Sequence, residues 1–282
     1  MILDAHVHFW DPSRGHDILI LRREPSLART YAPADLQPLL AETGIDRVVA
    51  MQCAPSVDET REQLALCDRI PWVAGVVGWV DLASPAMSDV LAELRGMSPK
   101  LVGIRSMLHR IPDAGWIMSE PAVVGLRALA SAGLSIDLIA NPHHLPSCTA
   151  ALERVPELCA IVNHGATPPI LGDGWEPWAS RLSDLARHTT AVCKLSGLAE
   201  EASADWSADT LARYVGHLLE CFGPQRLMFA SNWPCIDLRG GYLRWWDALQ
   251  TLLDRFGLDA QEREAILSGT ARRAYNLGEA SP

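Results

Sequence analysis

The feature that most constrains the fold is a regular alternation between short apolar runs and longer amphipathic segments along the whole chain. Each run is rich in Val, Ile and Leu and predicts a strand, and the segments between them carry apolar residues at helical period. Eight alternating strand–helix units are typical of a closed (β/α)8 barrel. An open doubly wound sheet usually carries a Gly-rich phosphate loop after its first strand, and none follows here. The predicted strands are 2–9, 47–52, 73–80, 101–105, 134–139, 158–163, 190–195 and 226–231.

Local motifs predict where several helices begin and end. Gly44 suits the left-handed position that follows a helix over 34–43. Ser56 and Glu59 have the spacing of a capping box, and Ser84-Pro85 predicts the start of another helix. Further helices are predicted over about 121–132, 243–257 and 260–275. Because linkers, repeats and low-complexity segments are absent from the sequence, the predicted fold class is α/β, a single TIM barrel domain spanning 1–282.

Composition limits the partners and the compartment. The formal net charge is −10 and the sequence has no cluster of Lys and Arg, which argues against nucleic acid and against an anionic membrane surface. Neither a long uncharged apolar stretch nor a basic signal segment is present, so we expect a cytoplasmic protein. The seven cysteines lack CxxC spacing and are expected to be free thiols. The pattern predicts no particular oligomeric state.

Polar residues at the ends of the predicted strands are the candidates for chemistry, because barrel active sites form at the carboxyl ends of the strands. His6 and His8 are two residues apart on the first strand and therefore share a face, where they could hold a metal ion or a substrate carbonyl. His164 closes the sixth strand. Arg105 on the fourth strand and Lys194 on the seventh are charged residues within apolar runs, suited to an anion or a carbonyl oxygen.

Taken together, these motifs resemble the amidohydrolase superfamily, and more narrowly its amidohydrolase-2 group of sugar-acid and dicarboxylate lactonases. The resemblance covers nearly the whole chain and is specific as a set. The matching segments are 4–10 (DAHVHFW), 75–82 (GVVGWVDL), 103–105 (GIR), 141–143 (NPH), 163–165 (NHG), 194–197 (KLSG), 229–234 (FASNWP) and 266–272 (ILSGTAR).

The resemblance implies a barrel hydrolase that activates water against an ester, lactone or amide, with fucono- and rhamnono-lactonases as the nearest substrate analogy. Its partner would be a small lactone or sugar acid. The residues that it implies for catalysis are His6, His8, Arg105, His164 and Asn232. For substrate binding, the strand-end positions predict that Trp79 and Trp233 offer flat faces to a sugar ring and that Asn141 and His143 hydrogen-bond its hydroxyls. Lys194 is predicted to hold an anion or a carbonyl oxygen of the substrate.

The metal content implied by the resemblance depends on Arg105. Members with a binuclear metal centre carry a bridging Lys or Glu on the fourth strand, and this sequence has Arg105 there. The resemblance therefore implies either no required cofactor or one divalent, zinc-like ion. Its ligands would be His6, His8 and His164, three side chains that leave open positions on the ion.

One position departs from the family pattern. The segment after the eighth strand is usually Ser-Asp-Trp-Pro, and here it contains Asn232, whose amide cannot take a proton from water. Three explanations stay open: a natural Asn with His164 or a loop carboxylate as the base, a barrel that binds without turnover, or an introduced Asp→Asn change. The sequence thus predicts a lactonase, with two alternatives, an impaired barrel that binds a sugar acid and a metal-dependent decarboxylase.

Overall fold

Eight parallel strands form one sheet in which each strand pairs with the next in chain order. The computed structural model describes residues 1–172 and 174–278; the predicted domain 1–282 also includes 173 and 279–282, which lie outside these ranges. The predicted α/β barrel is confirmed. The strands are β1 Leu3–Val7, β2 Arg47–Met51, β3 Val73–Gly78, β4 Leu101–Met107, β5 Ser135–Ile139, β6 Ala160–Val162, β7 Val192–Leu195 and β8 Leu227–Phe229.

The helices surround this sheet and alternate with the strands. Most strands end one or two residues earlier than predicted, because the chain turns into a loop there and leaves the ladder, whereas β4 continues to Met107. The C-terminal helix contains a π-helical turn, Ala265–Gly269, between its last two segments. The helices are α1 Leu19–Arg23, α2 Pro33–Thr43, α3 Val57–Cys67, α4 Met87–Met97, α5 Glu120–Ser131, α6 Leu145–Glu153, α7 Trp175–His188, α8 Ala208–Phe222, α9 Gly241–Arg255, α10 Ala260–Glu264 and α11 Thr270–Ala274.

The predicted helix boundaries hold in part. Gly44 follows α2 with a φ of 70°, as expected, and the Ser56 hydroxyl accepts a hydrogen bond from the Glu59 amide at the start of α3. The capping box is wrong, because the Glu59 carboxylate accepts from the Cys53 amide at 3.0 Å instead of returning to Ser56. The predicted start at Ser84-Pro85 is also wrong, since α4 begins at Met87.

The barrel closes where β1 meets the segment after β8. The His8 amide donates to the Trp233 carbonyl at 2.7 Å, and the Asn232 amide donates to the His6 carbonyl at 2.9 Å. Asp4 strengthens this seam, because its two carboxylate oxygens accept from the Ser231 amide and from the Tyr242 hydroxyl, each at 2.9 Å. The seam therefore places the first and last strand-end segments side by side.

Two apolar clusters make up the core. The larger lies between the sheet and the helices, and the smaller joins residues of six strands across the barrel to Ala271, Ala274 and Tyr275 of the C-terminal helix region. The hydroxyl of Tyr275 reaches the buried Asp137 carboxylate at 3.0 Å. One end of the barrel is thus filled by apolar packing, which leaves the carboxyl ends of the strands open.

Two features of the structure relate to expectations drawn from the composition, namely the length of the helices and the state of the cysteines. Within the described ranges, no helix combines the length and apolarity that crossing a membrane requires. All seven cysteines are free thiols, as expected.

Candidate active site

A cavity of about 170 Å³ opens at the carboxyl ends of the strands. Its polar wall holds three imidazoles, two guanidiniums, an amide and two thiols. Its apolar wall comes from the segment around α1 and from the ends of β4 and β5. The polar lining residues are His8, Arg23, Cys53, Arg105, His109, His164, Asn232 and Cys235, and the apolar ones are Trp10, Ile18, Leu19, Ile20, Met107 and Ile139.

A chain of hydrogen bonds runs from the barrel interior to this cavity. Lys194 and Asp137 form a fully buried ion pair, with Nζ 2.6 Å from Oδ1. The same Nζ lies 3.2 Å from Nδ1 of His6, which is itself fully buried beneath the cavity floor. His6 Nε2 lies 3.0 Å from His8 Nε2, and His8 Nδ1 lies 3.1 Å from the Met51 carbonyl. Only His8 of the two histidines lines the cavity.

Lys194 at one end of this hydrogen-bonded series and the Met51 carbonyl at the other determine which nitrogen of each histidine carries the proton. A Lys194 ammonium paired with a carboxylate can only donate, so Nδ1 of His6 accepts and its proton resides on Nε2. That proton is donated to His8 Nε2, and the remaining His8 proton, on Nδ1, is donated to the Met51 carbonyl. Burial holds the pKa of both imidazoles well below the usual range, with further lowering by nearby Lys194 and Arg105. Both rings are therefore neutral at pH 7.

Arg105 is the buried cation of the cavity wall, whereas Arg23 is exposed. Its guanidinium is 3% exposed, donates to the Gln52 side chain at 2.9 Å and lies 3.5 Å from His6 Nε2. Its Nε has no hydrogen-bond partner, and within the described ranges no carboxylate lies in ion-pair distance of it. A buried charge without a counter-ion is costly. The geometry thus favours an anion, or an oxygen that becomes one, next to Arg105.

His164 lies on a strained segment between β6 and α7. The backbone from His164 to Thr167 is left-handed at four consecutive positions, with φ between 54° and 58°. Left-handed residues other than glycine are uncommon and concentrate at functional sites. The ring donates to or accepts from the Ser196 hydroxyl at 2.8 Å through Nδ1, which leaves Nε2 for the cavity. Burial, Lys194 and Arg105 hold the pKa of His164 well below its usual range.

Asn232 lines the same cavity and is also left-handed, with a φ of 60°. Its Nδ2 donates to Oε1 of Glu200 at 2.8 Å. The other oxygen of Glu200 is buried without a partner, and burial raises the pKa of this carboxyl to about 7. The Asn232 side chain is thus fixed by a hydrogen bond from its Nδ2 to the Glu200 carboxyl group.

The described residues that line the cavity include none of Trp79, Asn141, His143 and Trp233. Trp79 lines a separate cavity near Trp116. Trp233 is 2% exposed, and its ring packs edge-on against neighbouring aromatic rings in the core. The ring of His143 stacks on that of the following residue. Lys194 reaches the site only through His6.

Several residues of the site carry signals that the sequence interpretation did not use. Asp137 is a charged residue within an apolar strand, the same signal that drew attention to Lys194. His109 follows β4, and its buried Nδ1 has no partner; burial and Arg105 lower its pKa to about 4. Glu200 follows the Lys-Leu-Ser-Gly motif after β7. Its proximity to Asn232 has no local sequence signal.

The donor set does not fit a resident divalent ion. An ion at His6 Nε2 would have to displace the proton on that atom, and a ligating histidine normally donates its other nitrogen to an acceptor, whereas here that nitrogen faces Lys194. The Arg105 guanidinium lies next to the same atom. Residues 1–172 and 174–278 contain no group of three His, Cys, Asp or Glu side chains arranged to hold an ion. His6, His8 and His164 are close together but do not form such a set.

The fold and the site define a barrel of the hydrolase type, with its polar residues at the strand ends. A family model described as amidohydrolase matches residues 3–277. The chain therefore belongs to the amidohydrolase family, and the predicted membership is confirmed.

Characterised relatives and a solved structure resemble the chain over nearly its full length. An L-fucono-1,5-lactonase of Burkholderia ambifaria is 35% identical over 99% of this chain and 97% of its own. Another L-fucono-1,5-lactonase, from Burkholderia multivorans, is 33% identical over 98% of this chain and 96% of its own. The crystal structure of an amidohydrolase from Burkholderia multivorans with bound zinc superposes with a TM-score of 0.92 at 30% identity, covering 99% and 100% of the two chains.

Proposed function

We propose that the protein is a lactonase that opens a small sugar-acid lactone to its hydroxy acid. The observation that carries this proposal is Arg105, a buried cation without a counter-ion on the wall of a strand-end cavity. The names of the two lactonase relatives support the same substrate class. The cavity volume of about 170 Å³ lies below the roughly 300–1,000 Å³ of sites for drug-sized ligands, which suits a single small ring.

In the proposed reaction Arg105 binds the carbonyl oxygen of the lactone. When water attacks, this oxygen becomes negative, and a donor already in place stabilises the charge without reorganisation. His6 lies below the floor and acts as a positioning residue, because it connects Lys194 to His8 and contacts the guanidinium. The neutral His8 completes the wall without adding a competing charge.

The attacking water lies between His164 and Asn232 in this proposal. His164 donates Nδ1–H to Ser196, so that Nε2 accepts the proton of the water as its oxygen bonds to the carbonyl carbon. The bond from that carbon to the ring oxygen then breaks, and the ring oxygen takes the proton from His164. The product is a hydroxy acid, whose carboxyl group loses a proton to solvent. Asn232 orients the water but does not take its proton.

No resident metal has a role in this mechanism, because Arg105 supplies the positive charge and the histidine chain occupies the ligand positions. A single zinc-like ion on His6, His8 and His164, the alternative expected from the sequence, would make the activity sensitive to chelators, and the assay includes a chelator for that reason.

A panel of 1,4- and 1,5-aldonolactones, monitored with a pH indicator, tests the proposal. The protein is assayed with and without a chelator, and Arg105→Gln serves as the site variant. Removing one oxyanion donor typically costs about 10²–10³ in turnover, and we expect that loss in R105Q.

Three outcomes would contradict the proposal. Absence of hydrolysis with thermal stabilisation by sugar acids would favour a binding protein. Carbon dioxide release that a chelator abolishes would favour a decarboxylase. Full activity in R105Q would remove the observation on which the mechanism depends.

A further inference from the structure

The pairing of Asn232 with Glu200 joins a residue of the cavity to a buried carboxylate outside it. Glu200 lies 32 positions before Asn232, on the loop that follows β7, and does not line the cavity. Its Oε1 accepts from Asn232 Nδ2 at 2.8 Å, whereas its Oε2 is buried and has no partner among the described residues. A buried carboxylate with half of its hydrogen-bonding capacity unused is expensive for the fold. Such a group calls for an explanation.

An ionised carboxylate can only accept hydrogen bonds, whereas an amide has one end that donates and one that accepts. Glu200 therefore determines which way round the Asn232 amide lies: Nδ2 faces the carboxylate. The group left for the cavity is Oδ1, which has no partner among the described residues. A protonated Glu200, or a glutamine in its place, could also donate, and the amide would lose its unique orientation.

We infer that Glu200 is a positioning residue that turns the Asn232 carbonyl oxygen toward the cavity, where that oxygen orients the attacking water. The inference rests on the proposed lactonase function and explains how an amide can stand where the family pattern has an aspartate. An aspartate presents an oxygen to the water in either orientation. Asn232 does so in only one, and Glu200 selects it.

The charged and titratable surroundings of Glu200 determine how this arrangement responds to pH. Burial raises the pKa of Glu200 to about 7, the hydrogen bond from Asn232 lowers it, Glu201 raises it and Arg239 lowers it. Cys235 also faces the pair, but burial raises the pKa of its thiol to about 12, so the thiol is neutral. Activity should therefore rise with pH through about 7, as Glu200 loses its proton and becomes acceptor-only.

The variant that restores the aspartate of the family pattern should be less active than the wild type. Asn232→Asp places two carboxylates about 2.8 Å apart, judged from the present distance between their atoms. Two like charges that close cannot both ionise, so they share a proton. Glu200→Gln removes the acceptor-only partner. In the double variant, the glutamine introduced at position 200 can donate to the aspartate introduced at position 232, and one carboxylate oxygen again faces the cavity.

The experiment is a double-mutant cycle of E200Q, N232D and the double variant, with kcat and KM measured from pH 5 to 9 on the best lactone. We expect kcat at pH 8 to fall about fivefold in E200Q and at least tenfold in N232D, with KM little changed. The double variant should return to within about threefold of the wild type. The break near pH 7 should vanish in E200Q and move upward in N232D. Glu201→Gln, the same charge change one residue away, should keep the wild-type kcat at pH 8, with the break moved only slightly to lower pH because Glu201 no longer raises the pKa of Glu200. Thermal unfolding verifies that each variant is folded.

The inference would be overturned if the losses of kcat in E200Q and N232D multiplied in the double variant. It would also be overturned if E200Q kept the kcat and the pH profile of the wild type. A second measurement does not need turnover: the ¹³C resonance of the Glu200 carboxyl, assigned with E200Q, should titrate near pH 7 and at higher pH in N232D. If no lactone is hydrolysed and this titration is observed, the proposed function fails but the pairing stands. A Glu200 that titrates near its ordinary value, with the same midpoint in N232D, would refute the pairing itself.

Discussion

Gly197 controls the position of His164, and substituting it gives the sharpest test of the site. Gly197 has a φ of +70°, and a Cβ built there would lie 2.5 Å from the Cβ of His164. Carbon atoms in contact normally lie about 3.5–4.0 Å apart, so Gly197→Ala must move His164 by about 1 Å or more. A misplacement of about 1 Å in a reacting group can lower turnover about 10²-fold.

The cost in stability has two parts. An alanine in the left-handed region loses roughly 1–2 kcal/mol, and overpacking against the imidazole adds about 1–3 kcal/mol. Gly133 separates them, because its φ is +68° and a Cβ there would meet nothing within 4 Å. We expect Gly133→Ala to lose about 1–2 kcal/mol with unchanged turnover, and G197A to lose about 2–5 kcal/mol with greatly reduced kcat/KM.

Urea unfolding and the lactone assay on both variants measure these quantities. Equal losses of stability in the two variants would show that the contact with His164 relaxes without strain. If G197A also kept the kcat/KM of G133A, the position of His164 would be irrelevant to turnover, and the proposed role for its Nε2 would be refuted.

Three further predictions concern the buried charges and the metal. Lys194→Met leaves the Asp137 carboxylate without its cation, and we expect the free energy of unfolding in urea to fall by about 3–5 kcal/mol. Adding Asp137→Asn should restore part of this loss. Equal stability of the single and double variants would contradict the prediction. Burial raises the pKa of Glu59 to about 7, so the folded protein binds the proton of this carboxyl group more tightly than the unfolded chain does. The free energy of unfolding should therefore fall as pH rises from about 5 to 8. Glu59→Gln should remove up to about 3 kcal/mol of that dependence in denaturant titrations at several pH values, and an unchanged slope would argue otherwise. Dialysis against a chelator should leave kcat unchanged, because the His6 tautomer and Arg105 disfavour an ion; activity lost on dialysis and regained with zinc would disprove this.

The barrel could be predicted from the sequence because its signals are local. Apolar runs at strand length and amphipathic segments between them recur in order, and each unit is recognised without reference to the others. The same reasoning located His8, Arg105, His164 and Asn232, which the structure brings to one cavity. Three of these residues follow strands and Arg105 lies near the carboxyl end of β4, and in a barrel that position decides which end of the barrel they occupy.

The remaining features depend on contacts between distant segments. Trp79 and Trp233 follow strands as Asn232 does, but the paths of their loops turn both rings away from the cavity. Glu59 has the spacing of a capping box, and only the fold shows that the Cys53 amide competes for its carboxylate. Glu200 meets Asn232 only because β7 and β8 are neighbours in the sheet. Pairings of this kind have no periodic signal in a single sequence.

The seam held by Asp4 also determines when in its synthesis the protein can become active. His6 and His8 leave the ribosome long before Asn232, and the two groups that hold the Asp4 carboxylate, on Ser231 and Tyr242, come 227 and 238 residues after it. A nascent chain that stops short of this region has His8 but not the part of the cavity wall that Asn232 contributes. Copies that end before Asn232 therefore carry an incomplete site, and the appearance of activity reports that the first and last strands have met.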